Sequence, residues 1–234
     1  MNIQRRLIAT ALLVTANIGV VAGTPVKAAE LKGPAASSAQ PQSDAEMQKA
    51  VYAKCEAGEF DAALVLVEQM IKANPKSAMP YMCKAMIFYY QHDGVAKVME
   101  ALNQAIEVDP KSIDALVARG CLYESVNNFG MALKDFDAIL AIDPTNLEAL
   151  QQRTKIHLAF HNKQGLIADY TLAIARNHED AEAYYRRGII YELLGEKKKA
   201  MTDLQRAEDL FVALKQTDNA RAARERLVVL QKTA

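Results

Sequence analysis

The stretch Ile113–Asn146, IDALVARGCLYESVNNFGMALKDFDAILAIDPTN, decides the fold. It carries two helical patterns. The first holds apolar positions from Leu116 to Tyr123; the second runs through Met131, Leu133, Phe136, Ile139 and Leu140. Asn127-Asn128-Phe129-Gly130 makes the turn between them, and Asp143-Pro144 stops the second, since proline cannot continue a helix. Two helices of about 12 residues cannot bury their apolar faces alone, so such a unit needs copies of itself alongside.

A shift of 34 residues finds the copies. They divide the chain into 44–78, 79–112, 113–146, 147–180 and 181–214. The stop dipeptide returns as Asn74-Pro75, Asp109-Pro110, Asp143-Pro144 and Asn177-His178. A helix-capping residue precedes the first helix of each copy, as Ser43, Ser112, Asn146 and Asp180, and only Ala78 breaks the series. Glu46 completes a capping box with Ser43, and Pro80 falls in a first turn, where its missing N–H costs nothing.

These residues resemble the tetratricopeptide repeat (TPR), a helix–turn–helix unit of about 34 residues. In the third copy the family pattern falls on Leu116, Arg119, Gly120, Tyr123, Ala132, Phe136 and Pro144. In the fifth it falls on Tyr184, Gly188, Tyr191, Gly195, Ala200, Leu204 and Ala207. The resemblance implies an all-α fold, a right-handed superhelical solenoid of about five repeats, in which Gly120 and Gly188 allow close approach of the paired helices. The second copy departs with Met86 and Val98 at the small positions and a glycine, Gly94, one residue late. The fourth departs most, with Thr154, His157, Leu166 and His178 at the glycine, tyrosine, alanine and proline positions, though Asp169-Tyr170 stays in line with Asp135-Phe136. It is expected to be the least ideally packed.

Residues 215–234 form a further amphipathic helix with Ala220, Ala223, Leu227 and Leu230 on one stripe, suited to cap the raw end of the array. The other end differs in kind. Arg5 and Arg6 precede an apolar run from Leu7 to Ala22, and Val26-Lys27-Ala28 offers a cleavage site. This is the pattern of a signal peptide over 1–28, followed by a flexible leader over 29–43. It implies export to the periplasm or beyond, without membrane insertion after cleavage. A cut after Ala22 and an uncleaved N-terminal anchor are the alternatives.

The formal net charge is zero, and without Arg5, Arg6 and Lys27 it becomes 25 − 28 = −3. A nucleic-acid binder needs a basic excess, so that class is excluded. His157 and His161 have metal-ligand spacing on one helix, but Leu158-Ala159-Phe160 between them lacks the glutamate of a zinc-protease helix. His157 therefore reads as an interhelix residue. No phosphate loop or nucleophile motif is present, so the chain is expected to be no enzyme and to need no metal or cofactor. Cys55, Cys83 and Cys121 are odd in number, and a Cys83–Cys121 bridge between neighbouring repeats would need favourable stagger.

The family's groove positions, carried onto this chain, hold Gln48, Tyr52, Cys55, Cys83, Ile87 and Tyr90. They continue with Asp114, Val117, Cys121, Glu124, Glu148, Gln151, Lys155 and Leu158, and end with Glu182, Tyr185, Ile189 and Glu192. A merely solvated face would be long and charged; this one is rich in tyrosine and aliphatic residues. The resemblance thus implies a protein-interaction scaffold that takes a peptide or helix of a protein partner, with Tyr52, Ile87, Tyr90, Val117, Cys121, Glu124, Tyr185 and Ile189 as contacts. The lysine and asparagines with which related chaperone adaptors clamp a C-terminal carboxylate are not at these positions. The alternatives are a structural subunit of an envelope assembly, such as a secretion or pilus apparatus, binding through its convex face or termini, and groove residues that pack against their own neighbours. Self-association through terminal repeats stays open.

Overall fold

Regular stops and starts set the element order. The computed structural model describes residues 44–232, and among them eleven helices and no strand follow one another. They are α1 (Asp44–Glu56), α2 (Phe60–Ala73), α3 (Met79–Tyr90), α4 (Val95–Val108), α5 (Ile113–Ser125) and α6 (Phe129–Ile142), then α7 (Leu147–Ala159), α8 (Lys163–Arg176), α9 (Ala181–Leu193), α10 (Lys197–Ala213) and α11 (Thr217–Lys232). The segments read as signal peptide and leader, with the Ser43 cap, lie outside the described residues. No described helix is long and apolar enough to cross a membrane. This is an all-α repeat fold.

The helix starts follow the sequence. Ser112, Asn146 and Asp180 accept hydrogen bonds from the backbone N–H of Ala115, Ala149 and Ala183, respectively. Ala78 offers no side-chain cap, and α3 carries Pro80 in its first turn. The stops share one device: the side chains of Asp109, Asp143 and Asn177 each accept from the backbone N–H two residues on, folding the chain into the next cap. At Asp143 the Thr145 hydroxyl adds a second hydrogen bond at 2.6 Å, and these two bonds hold the carboxyl below its usual range.

The turn inside each pair also recurs. Gly58, His92, Asn127, His161 and Gly195 each adopt the left-handed conformation just past a first helix, with φ between 51° and 75°. In the second repeat His92 takes that place, and Gly94 (φ 92°) instead precedes α4. The late glycine thus marks a helix start. His161 likewise sits beyond the end of α7, so it does not share a helical face with His157.

The described residues divide into two compact units, 44–135 and 136–232, with the division inside α6. In the first, each helix from α1 to α4 packs on the next in sequence, and α1 also packs on α3. Its core includes Val51, Val67, Met70, Ile87, Leu102 and Leu116, with Met86 and Val98 both buried. In the second, α7 to α11 pack in the same successive way. A Cβ added at Gly188 would meet Leu204 Cγ at 3.0 Å, so glycine there sets the approach of α9 to α10. The stripe of α11 (Ala220, Ala223, Leu227, Leu230) is buried as its pattern requires. Leu227 and Leu230 join Ala200 and Leu204 of α10 in one cluster, which makes α11 the cap of this unit.

Candidate functional site

The scaffold beneath any surface site is polar as well as apolar. Arg119, Arg153 and Arg187 hold the same place in three successive first helices. Each reaches sixteen residues forward to a carboxylate on its own second helix: Arg119 to Asp135 (2.6 and 2.9 Å), Arg153 to Asp169 (2.7 Å) and Arg187 to Asp203 (2.7 and 2.9 Å). Each also reaches sixteen back, to Asn103, Asp137 and Thr171. Every arginine therefore clasps two second helices at once. In the cap, Arg224 reaches sixteen residues back, to Glu208 at 2.6 Å. Bidentate guanidinium–carboxylate geometry is strong and directional, and it keeps buried Asp135 and Asp203 paired, while Asp169 takes a single arginine bond. The hydrogen bonds to Asp135 and Asp203 lift the guanidinium pKa values of Arg119 and Arg187 further. Sequence reading placed Arg119 in the repeat pattern and aligned Asp169 with Asp135, yet it missed the pairing. The signal was the constant step of 34 at both the arginine and the aspartate.

Repeat four extends this clasp. The completely buried carboxylate of Asp169 also accepts from Thr154 Oγ1 at 2.9 Å and pairs with His157 Nδ1 at 3.0 Å. The His157 ring lies over Gly165, where a Cβ would come within 2.5 Å of it. The residues that depart from the repeat pattern thus form one network, and His157 serves as an interhelix residue.

The eight residues expected to contact a partner fall into distinct settings. Ile87, Val117, Cys121 and Glu124 are buried, so their side chains are not offered to solvent. Tyr52 and Tyr90 come together: Tyr52 hydrogen-bonds the Tyr90 phenol, and burial pushes that phenol up to about 12. Ile189 is half-buried. Tyr185 is half-buried as well, with its ring edge-on to Phe211 and its side chain hydrogen-bonded to Arg226 of the cap, which also holds Glu192 at 2.7 Å. The cap helix has taken Tyr185 and Glu192, two of the fifth repeat's four groove positions, as its seat.

The cysteines are inert in this setting. None forms a disulfide, and all three are buried. Burial pushes the Cys55 thiol up to about 11; burial, with Cys55 nearby, pushes Cys83 to about 12. Cys83 therefore neighbours Cys55 on α1, a relation that the Cys83–Cys121 reading did not consider.

An open groove does occur in the second unit, between α7, α8 and α9. Its volume is about 460 Å³. Leu147, Leu150, Leu158, Tyr170 and Ala173 supply an apolar floor, while Gln151, Lys155, Glu182 and Arg186 stand along it. Leu147 and Leu158 remain 44% and 46% exposed, high for leucines lining a concavity. Arg186 is held by Glu182 at 2.6 Å and hydrogen-bonds Tyr170, whose phenol burial pushes up while Arg186 pulls the other way. Gln151, Lys155, Leu158 and Glu182 were all at the family's groove positions, although the chosen contacts lay elsewhere.

Comparison with known proteins supports the fold. Residues 113–146 and 181–211 match the family model "Tetratricopeptide repeat". No curated protein sequence matches the chain. Among solved structures, the chain resembles one of Naa15/Naa10 bound to HypK-THB, with a TM-score of 0.55 and 20% identity, over 74% of this chain and 25% of that one. It thus spans a quarter of that chain's length. A tetratricopeptide repeat protein from Parabacteroides merdae aligns over 82% of this chain and 80% of its own, with 18% identity and a TM-score of 0.45.

Proposed function

The chain is a tetratricopeptide repeat protein, and we propose that it is a non-enzymatic interaction scaffold that seats an apolar side chain of a partner peptide or helix in the α7–α9 groove. The observation that carries this is the pair of half-exposed leucines, Leu147 and Leu158, within an apolar floor that has charged and amide groups beside it. Covering a leucine-sized surface is worth about 1.5–3 kcal/mol per side chain. The flanking Lys155, Glu182 and Arg186 supply orientation more than affinity. The groove's helices are already ordered by the Arg153 and Arg187 clasps, so association costs little in scaffold entropy. The signal-type N-terminal segment supports a site of action in the cell envelope.

The test is affinity capture from an envelope extract with the wild-type chain and with Leu158→Glu. Leu158 is exposed enough for the substitution to leave the fold intact, as circular dichroism would verify. The variant should lose the wild-type partners; an unchanged set of captured proteins would sink the groove reading. A second reading, a subunit that assembles through its terminus, is favoured by exposed Val212, Leu214 and Val228. It requires association that Leu158→Glu leaves untouched and Val228→Glu abolishes.

A further inference from the structure

A second concavity, of about 350 Å³, opens where α8, α9 and α10 meet, and it is chemically unlike the first. Thr171, Arg187, Tyr191, Lys198, Lys199 and Thr202 line it, together with the clasp carboxylate of Asp203. We propose that it is an oxyanion site for a phosphate group, held by Lys198, Lys199 and the uncommitted N–H groups of Arg187.

The earlier repeats provide an internal control. The positions of Lys198-Lys199 are occupied by Gly130-Met131 in repeat three and Gln164-Gly165 in repeat four. Holding the helix pair together therefore does not require two cations there. The backward arm of the arginine changes in the same direction. Arg153 of repeat four ends on the carboxylate of Asp137 at 2.7 Å, whereas Arg187 of repeat five ends on the neutral hydroxyl of Thr171 at 2.9 Å. Arg153 is thus offset by two carboxylates, and Arg187 by one. The substitutions together turn a net acidic position into a net basic one.

The donors are in place. A guanidinium has five N–H groups, and Arg187 commits Nε, one Nη1 and one Nη2 hydrogen to Asp203 and Thr171. The Lys198 ammonium has no ion pair or hydrogen bond among the described residues. Lys199 is tied to Glu196 and lies 5.2 Å above the Tyr191 ring, with the Arg187 guanidinium 5.9 Å from the same ring. Tyr191 thereby has two cations against its ring. Arg187, Lys198 and Lys199 all line one small cavity, and three such donors match a tetrahedral oxyanion, which takes several charge-assisted hydrogen bonds at once. Two exposed, flexible lysines without a shaped cavity would not.

The experiment titrates the full chain with inorganic phosphate and, separately, O-phosphoserine, following phosphorus resonance broadening and calorimetric heat. Saturable binding is expected for the wild type, with affinity reduced at least about tenfold in K198Q/K199Q. Thr171→Asp should have the same effect by giving Arg187 the second carboxylate that repeat four already accommodates. Both variants should keep the wild-type circular dichroism spectrum, and Leu158→Glu should bind phosphate normally, which separates this site from the groove. Tighter binding of O-phosphoserine assigns the site to a phosphomonoester, and tighter binding of phosphate assigns it to the free ion. Absence of saturable binding, or unchanged binding in K198Q/K199Q or Thr171→Asp, overturns the proposal.

Discussion

In repeat four the carboxylate of Asp169 is bonded by Arg153, Thr154 and His157; in repeat five its counterpart Asp203 takes a two-pronged bond from Arg187. Around Asp203 the helices close by apolar contact, with Gly188 against Leu204. Around Asp169 the threonine and histidine fill the space where glycine and tyrosine stand in repeat five, and Gly165 on the opposite helix gives the imidazole room. The equivalent helix pair is thus held in repeat five by the arginine clasp and close apolar contact, and in repeat four by a clasp extended into a wider buried polar network. The family model matches repeat five and leaves out repeat four.

The sharpest way to break this comparison is to remove the two carboxylates. Asp169→Ala leaves Arg153 with Asp137 alone and takes the acceptor from the Thr154 and His157 groups, which should cost about 3 kcal/mol. Asp203→Ala leaves Arg187 its Thr171 bond and two aromatic neighbours, and about 2 kcal/mol is expected. Urea unfolding of the two variants gives both values, and equal costs would show that the extra donors to Asp169 add nothing.

A smaller effect should come from the glycines. Gly165→Ala drives a methyl into the His157 ring and should destabilise by about 1–3 kcal/mol, with most of that recovered in the His157→Ala background. Gly188→Ala meets Leu204 Cγ at 3.0 Å, a smaller overlap than the 2.5 Å at Gly165, and should cost less. A double-mutant cycle without coupling between positions 157 and 165 would contradict the shared-space account.

The smallest effect lies at the turns. His161 carries a side chain at φ 51° and Gly195 occupies the same place at φ 75°. Left-handed backbone costs a non-glycine residue roughly 1 kcal/mol. His161→Gly should therefore raise the thermal midpoint, and Gly195→Ala should lower it. Shifts of the same sign would mean that the two turns are not equivalent.

Much of the architecture was legible because it depends on short-range signals repeated at a fixed step. Ser112, Asn146 and Asp180 cap as read, and the stripe of α11 is buried as read. The site was less legible because a groove position fixes only where a side chain starts. Whether Tyr185 faces solvent depends on Arg226 and Phe211, distant in sequence, and whether Ile87 does depends on how closely its neighbours pack. Side-chain identity at the borrowed positions could name Lys155, Leu158 and Glu182, but it could not rank them above Val117 or Glu124.

The arginine clasp also bears on how such a chain can change length. Each central arginine counts sixteen residues in both directions, so duplication or loss of one whole repeat leaves every such pair in register. A one-residue insertion between two of these arginines instead shifts a partner out of reach on at least one side. The ladder therefore works as a reading frame for the fold: it tolerates editing in whole units and penalises any other.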